Sequence, residues 1–145
     1  MTYNKEKKLV ITRVFDAPVE LVWRAITDID LLKQWAPFFA DFRAEVGVEN
    51  RFLLGTDPEH QYLHICRVTE VIKGRRLTYT WGYEGVVGDS LVTFELSAEG
   101  EKTRVVFTHE IVTPFGEDNP NFALGNFEQG WTFIVGALQK FVEGG

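Results

Sequence analysis

The stretch GWTFIVGALQKFVEGG, residues 130–145, decides the fold. Its spacing predicts a helix. At roughly 100° per residue, Phe127, Trp131, Ile134, Val135, Leu138, Phe141 and Val142 fall on one stripe. Phe133 and Ala137 widen the stripe to an arc of about 200°, about twice that of an ordinary surface helix. Thr132, Gln129, Gln139, Lys140 and Glu143 fill the remainder. So broad an apolar face requires a broad apolar partner.

The partner lies upstream. KKLVITRVF (7–15) alternates and is rich in β-branched residues, which predicts a strand. DAPVELVWRAI (16–26) predicts a helix capped by Asp16, with Pro18 in its first turn and Val19, Val22, Trp23 and Ile26 on one face. TDIDLLKQW (27–35) predicts a second short helix, capped by Thr27 or Asp28 and ended by Ala36-Pro37. Then the period changes to two. FADFRAEV, RFLLG, QYLHICRVTEVI, RLTYTWGY, SLVTFELSA and TRVVFTHEIV all read as strands. Their connectors GVEN, TDPEH, KGR, EGVVGD and AEGEK are short and rich in turn residues, so consecutive strands form antiparallel hairpins. The expected fold is α+β: a curved antiparallel sheet of about six or seven strands wrapped around a long C-terminal helix, with two short helices after the first strand. The 145 residues are expected to form one domain, 1–145.

Composition excludes several function classes. Hydrophobic residues make up 45%, enough for a sizeable core. The net charge of −6 argues against nucleic acid or an anionic membrane as partner. Only Arg75-Arg76, with Lys73 nearby, forms a basic pair. One cysteine, Cys66, excludes an intrachain disulfide, and a reducing, cytoplasmic setting is expected. The only apolar run near the start is Leu9-Val10-Ile11, too short for a signal peptide, and no run approaches membrane-spanning length.

The ordered segments resemble a known family. APVELVWRAITDIDLLKQW, EVIKGRRLTYTW, TRVVFTHE and the closing GW followed by LQKFV are similar to the signatures of the activator-of-heat-shock-protein-90-ATPase homologue-like proteins. These are part of the SRPBCC (START/birch-pollen-allergen-like, helix-grip) superfamily. The resemblance spans nearly the whole chain. It implies a cavity between sheet and closing helix, which in the superfamily holds lipids, sterols, polyketides or plant hormones and in some members catalyses cyclisation or hydrolysis. Two departures stand out. Glu49-Asn50 occupies the hairpin position where the family has Gly-Gly, with Asn tolerating a left-handed backbone. Ala-Pro-Phe-Phe follows Trp35 in place of a second Trp.

Alternation assigns inward faces. Leu77, Tyr79 and Trp81 share one; so do Val92, Phe94 and Leu96, and Val105, Phe107 and His109. On the long QYLHICRVTEVI strand, Tyr62, His64, Cys66, Val68 and Glu70 are taken as inward. Such aromatics can be core or pocket lining. As a lining they are Trp35, Phe38, Phe39, Tyr79, Trp81, Phe94, Phe107, His109, Phe127 and Trp131, with His109 and Tyr79 as polar anchors. His60 and His64 lie about 13 Å apart on a strand, so no metal site is expected, and no cofactor is implied. Cys66 reads as a small buried hydrophobe. Gly130, beside Trp131, allows either close helix–sheet approach or room for a ligand.

Three function classes follow. The first is binding of a small hydrophobic or amphipathic molecule in the cavity. The second is a protein-interaction module with a chaperone partner, similar to the co-chaperone. The third is a cyclase- or hydrolase-type enzyme using His109 with Glu70 or Tyr79, which requires those groups within hydrogen-bond reach. The sequence is silent on oligomeric state.

Overall fold

The computed structural model describes residues 8–37, 42–55, 61–113, 115 and 124–144. In chain order it contains β1 (Lys8–Phe15), α1 (Val19–Thr27), α2 (Ile29–Trp35), β2 (Glu49–Gly55), β3 (Gln61–Ile72), β4 (Arg76–Tyr83), β5 (Asp89–Glu99), β6 (Lys102–Thr113) and α3 (Leu124–Val142). The six strands form one antiparallel sheet in the order β1-β6-β5-β4-β3-β2. The expected α+β helix-grip architecture is present.

The strand order positions the helices. β2 to β6 are successive hairpin neighbours, while β1 pairs with β6 from Lys8↔Glu110 to Phe15↔Thr103. The chain therefore leaves β1 at one edge and enters β2 at the other. α1 and α2 make this crossing and meet α3 on the same side of the sheet. Buried residues alternate along the strands: Leu77, Tyr79, Trp81 and Tyr83 on β4, Ser90, Val92, Phe94 and Leu96 on β5, Thr103, Val105, Phe107, His109 and Ile111 on β6. α3 lays Phe127, Trp131, Val135, Leu138 and Val142 against them. Phe133 is 75% exposed, so the apolar arc of α3 that is actually covered is narrower than its sequence implies.

Three local expectations change, and the choice of cap for α2 between Thr27 and Asp28 is settled. Asp16 does not cap α1; Pro18 occupies the cap position without a side-chain bond, and the Asp16 N–H donates instead to Glu143 Oε2 at 2.8 Å. Asp28 caps α2, its Oδ1 accepting from the Asp30 N–H at 2.9 Å. Gly130 makes no close approach: a methyl group there would find no atom of the other described residues within 4 Å, so tight helix–sheet contact is not its reason. On β3, the register shifts between Val68 and Glu70, where Val68 faces Tyr79 but Glu70 faces Thr78. This bulge at Thr69 reverses the alternation beyond it. Val71, opposite Leu77, takes the inner face, and Glu70 turns to the outer face, 3.4 Å from Arg76.

The segment FADFRAEV forms no strand over its described part, Phe42–Val46. The turn ahead of β2 uses Gly47, at φ 89°, and Glu49-Asn50 lies in β2 itself. Asn50 is buried and faces inward. Its Oδ1 accepts from the Arg43 N–H at 2.8 Å and its Nδ2 donates to the Arg43 carbonyl at 3.1 Å. One side-chain amide thus satisfies both backbone groups of a residue that has no strand neighbour. It also fixes the adjacent Phe42, whose ring meets Tyr79 edge-on at 5.1 Å. Asn50→Ala, which strips both partners from Arg43, is expected to lower stability by about 1–3 kcal/mol, measured by urea unfolding.

Candidate functional site

The inner face of the sheet divides into two regions with different packing. The first lies under the N-terminal half of α3. Trp131 meets Trp81 at 4.7 Å, Phe107 at 4.6 Å and His109 at 5.7 Å between ring centroids. Phe127 sits on His109 at 5.1 Å and on Phe115 at 5.7 Å. His64 stacks on Phe52 at 5.0 Å and meets Trp81 and Tyr83 edge-on. Five of the expected lining residues, Trp81, Phe107, His109, Phe127 and Trp131, are therefore interlocked here.

The polar groups of this region are internally bonded. Ser90 Oγ donates to the Trp81 carbonyl at 2.7 Å, so the His109 Nε2–H donates to Ser90 Oγ at 2.8 Å. A carbonyl can only accept, so His64 Nδ1 carries the hydrogen it shares with the Tyr62 carbonyl at 2.8 Å. Trp81 Nε1–H donates to Tyr83 Oη at 2.9 Å. Burial drives both histidines below the ordinary range, His64 to about 4 and His109 to about 3, with backbone bonds partly offsetting this at His64. Both rings are neutral at pH 7.

The second region is a crevice between the helices and strands β4 and β5. It is lined by Ile26, Leu32, Trp35, Phe42, Leu77, Tyr79, Phe94 and Ile134. Including its solvent-facing mouth it measures about 300 Å³, but only about 10 Å³ of this has room for a water-sized body. That is about one water. Trp35 is held at the mouth by its indole N–H, which donates to the Ala25 carbonyl at 2.7 Å. Phe94 links the two regions through Phe107, at 5.1 Å.

Trp35, Tyr79 and Phe94 are the expected lining residues that the structure brings together. Phe38 and Phe39 lie outside the described residues. Ile26, Leu32, Phe42, Leu77 and Ile134 were missed as lining. Ile134 and Leu77 were already on inward faces, so packing depth was the absent signal; Phe42 was hidden by reading its segment as a strand.

The acid–base pairings are not assembled. Glu70 lies on the outer face with Arg76, away from His109. Tyr79, Val92 and His109 occupy one row across three strands, so two strand spacings, roughly 10 Å of backbone, separate Tyr79 from His109. The buried Val92 side chain fills the interval. Burial pushes the Cys66 thiol well up, which disfavours the thiolate. Among the described residues, no group of three His, Cys, Asp or Glu is placed to hold a metal ion, and no helix is long and apolar enough to cross a membrane.

Residues 16–143 match the family model described as "Activator of Hsp90 ATPase homolog 1-like protein". No curated protein matches the chain. Among solved structures, a protein of Chromobacterium violaceum is 23% identical, with a TM-score of 0.77, the alignment covering 95% of this chain and 98% of that one. An uncharacterised protein of Rhizobium leguminosarum is 24% identical, with a TM-score of 0.77 over 94% and 93% of the two chains. A protein of Mesorhizobium loti is 26% identical, with a TM-score of 0.71 over 92% and 94%.

The two histidines make stability depend on pH. Between about 6.5 and the folded values near 4 and 3, the unfolded chain binds more protons than the native one. Their contribution is complete above pH 6.5 and is lost as pH falls through that window. The His64 share is on the order of 3 kcal/mol. Urea unfolding at pH 7, 5 and 4 is expected to show the decline, with a shallower slope in His64→Gln.

Proposed function

Because the chain belongs to the Activator of Hsp90 ATPase homolog 1-like family, we propose that it binds a small, mainly apolar molecule in the crevice beneath α2 and α3. The observation that carries this reading is the lining itself. Seven of its eight side chains offer only hydrocarbon, aromatic or indole surface, and Tyr79 supplies the one hydroxyl. Apolar walls with a sparse polar group are the usual construction of small-molecule sites.

The binding region is the crevice rather than the aromatic block under Trp131. The block has its rings in mutual contact and its polar atoms bonded to one another. The crevice has a mouth, and three of its walls come from short or half-buried groups: Leu32 and Trp35 on the seven-residue α2, and the half-buried Ile134 on α3. The space within admits only about one water, so a ligand enters by displacing these groups, and the unliganded state is a closed one. Turnover has no support in the geometry, since neither Glu70 nor Tyr79 is within reach of His109.

Thermal shift against monocyclic aromatic and short aliphatic compounds tests the reading. A native-state ligand at a hundredfold excess over its Kd stabilises by about 2.7 kcal/mol, a shift of several degrees for a chain of this size. Ile134→Trp, which fills the mouth from a half-buried position, is expected to abolish the shift while leaving the unliganded melting temperature nearly unchanged. Ile134→Ala is expected to retain it. Shifts that survive Ile134→Trp would place the ligand elsewhere.

A further inference from the structure

The Tyr79 side chain is 2% exposed and lines the crevice. Its neighbours on β4 have bonded polar atoms: Thr78 Oγ1 meets Thr93 Oγ1, and Trp81 Nε1 meets Tyr83 Oη. The Tyr79 hydroxyl is different. Among the described residues it has no hydrogen-bond partner. Among the described residues no fully enclosed side-chain oxygen or nitrogen lacks a partner, so this oxygen retains contact with open space, and the space its residue borders is the crevice. A buried hydroxyl without a partner is unfavourable and rare, and such groups call for an explanation.

We infer that Tyr79 is the anchor for an uncharged ligand carrying one hydrogen-bond acceptor, such as a ketone, ester or ether oxygen, on a small apolar body. This rests on the crevice being the binding site. Burial holds the phenol well above its ordinary range, so the group is always O–H and always able to donate. The other lining residues, Ile26, Leu32, Trp35, Phe42, Leu77, Phe94 and Ile134, carry no ionisable group. Trp35 has already committed its indole N–H to the Ala25 carbonyl. Among the described lining residues a carboxylate would lose its hydration and gain one neutral donor with no cation, and an ammonium would find no carboxylate. The net charge of −6 adds to the barrier against anions. Neutral compounds escape both penalties.

Four probes of nearly equal shape and size separate the possibilities: isopropylbenzene, acetophenone, benzoate and α-methylbenzylammonium. Their binding to the wild-type chain and to Tyr79→Phe is measured by calorimetry at pH 7. Acetophenone is expected to bind the wild type about fivefold more tightly than isopropylbenzene, the effect of one neutral hydrogen bond. In Tyr79→Phe the two are expected to bind equally, with isopropylbenzene unaffected. Both ions are expected to bind at least tenfold more weakly than acetophenone. The unliganded Tyr79→Phe chain is expected to melt at or above the wild-type temperature, since the hydroxyl it loses bonds to no described group of the protein. A lower melting temperature would show that the hydroxyl is engaged within the protein and would overturn the inference. Equal binding of isopropylbenzene and acetophenone to the wild type would also overturn it, while leaving the crevice as a binding site. Tighter binding of either ion would overturn the neutral class. Failure of all four to bind would remove the crevice reading and this inference with it.

Discussion

The pairing of β1 with β6 is the constraint on which the remaining structure depends. It joins the first described strand to the last across nearly the full length of the chain, and it is the one pairing that no hairpin turn enforces. With β1 at one edge, the chain must cross to β2 at the other, and α1 and α2 lie on that crossing. The helices consequently lie on the same face as α3. Thr103, at the start of β6, reinforces the arrangement by donating its hydroxyl to the Ala17 carbonyl at 2.7 Å, where β1 gives way to α1. The crevice is a by-product of this crossing: two short helices and one long one cannot cover a curved sheet without leaving a seam.

Two polar features shape that seam from the sheet side. The bulge at Thr69 moves Glu70 out and Val71 in, which keeps a carboxylate off the inner face. Asn50 clamps Arg43 and so brings Phe42 onto Tyr79. Neither acts on a ligand directly, yet both determine what a ligand would touch. The first also bears on the uncharged character of the lining, since Glu70 is held on the outer face beside Arg76.

Most of the fold was legible in the sequence because it is written in periodicity. The change from a 3.6-residue to a 2-residue repeat after Trp35, and the return to it near Phe127, marks the elements. The alternation on β4, β5 and β6 matches the observed burial residue by residue. Legibility ended where one residue breaks a pattern. The Thr69 bulge leaves no compositional mark, so Glu70 was placed on the wrong face. FADFRAEV alternates like a strand, but the backbone groups of its Arg43 are satisfied by the Asn50 amide instead of a neighbouring strand. The site was less legible for a related reason. Periodicity tells which side chains point inward, and it assigned Trp81, Phe107, Trp131 and Tyr79 alike. Whether rings meet one another or border a gap depends on how far apart the layers sit, and that is set by packing across long sequence distances.

The joint between the first two helices bears on how such a seam could open. α3 is fastened along its length: Trp131 and Phe127 are wedged among rings, while Arg13 donates to Gln139, Gln139 to Glu143, and Glu143 receives the Asp16 N–H. Among the described residues α2 is moored by the buried Leu32 and by the Trp35 indole on the Ala25 carbonyl. It hangs from Asp28, which ends α1 by donating its N–H to the Arg24 carbonyl and begins α2 by accepting from Asp30. A single residue that closes one helix and opens the next works as a pivot, since rotation there unwinds neither. On the proposed reading α2 is the door, Asp28 its hinge and the Trp35 indole its latch, while the long helix serves as the fixed frame.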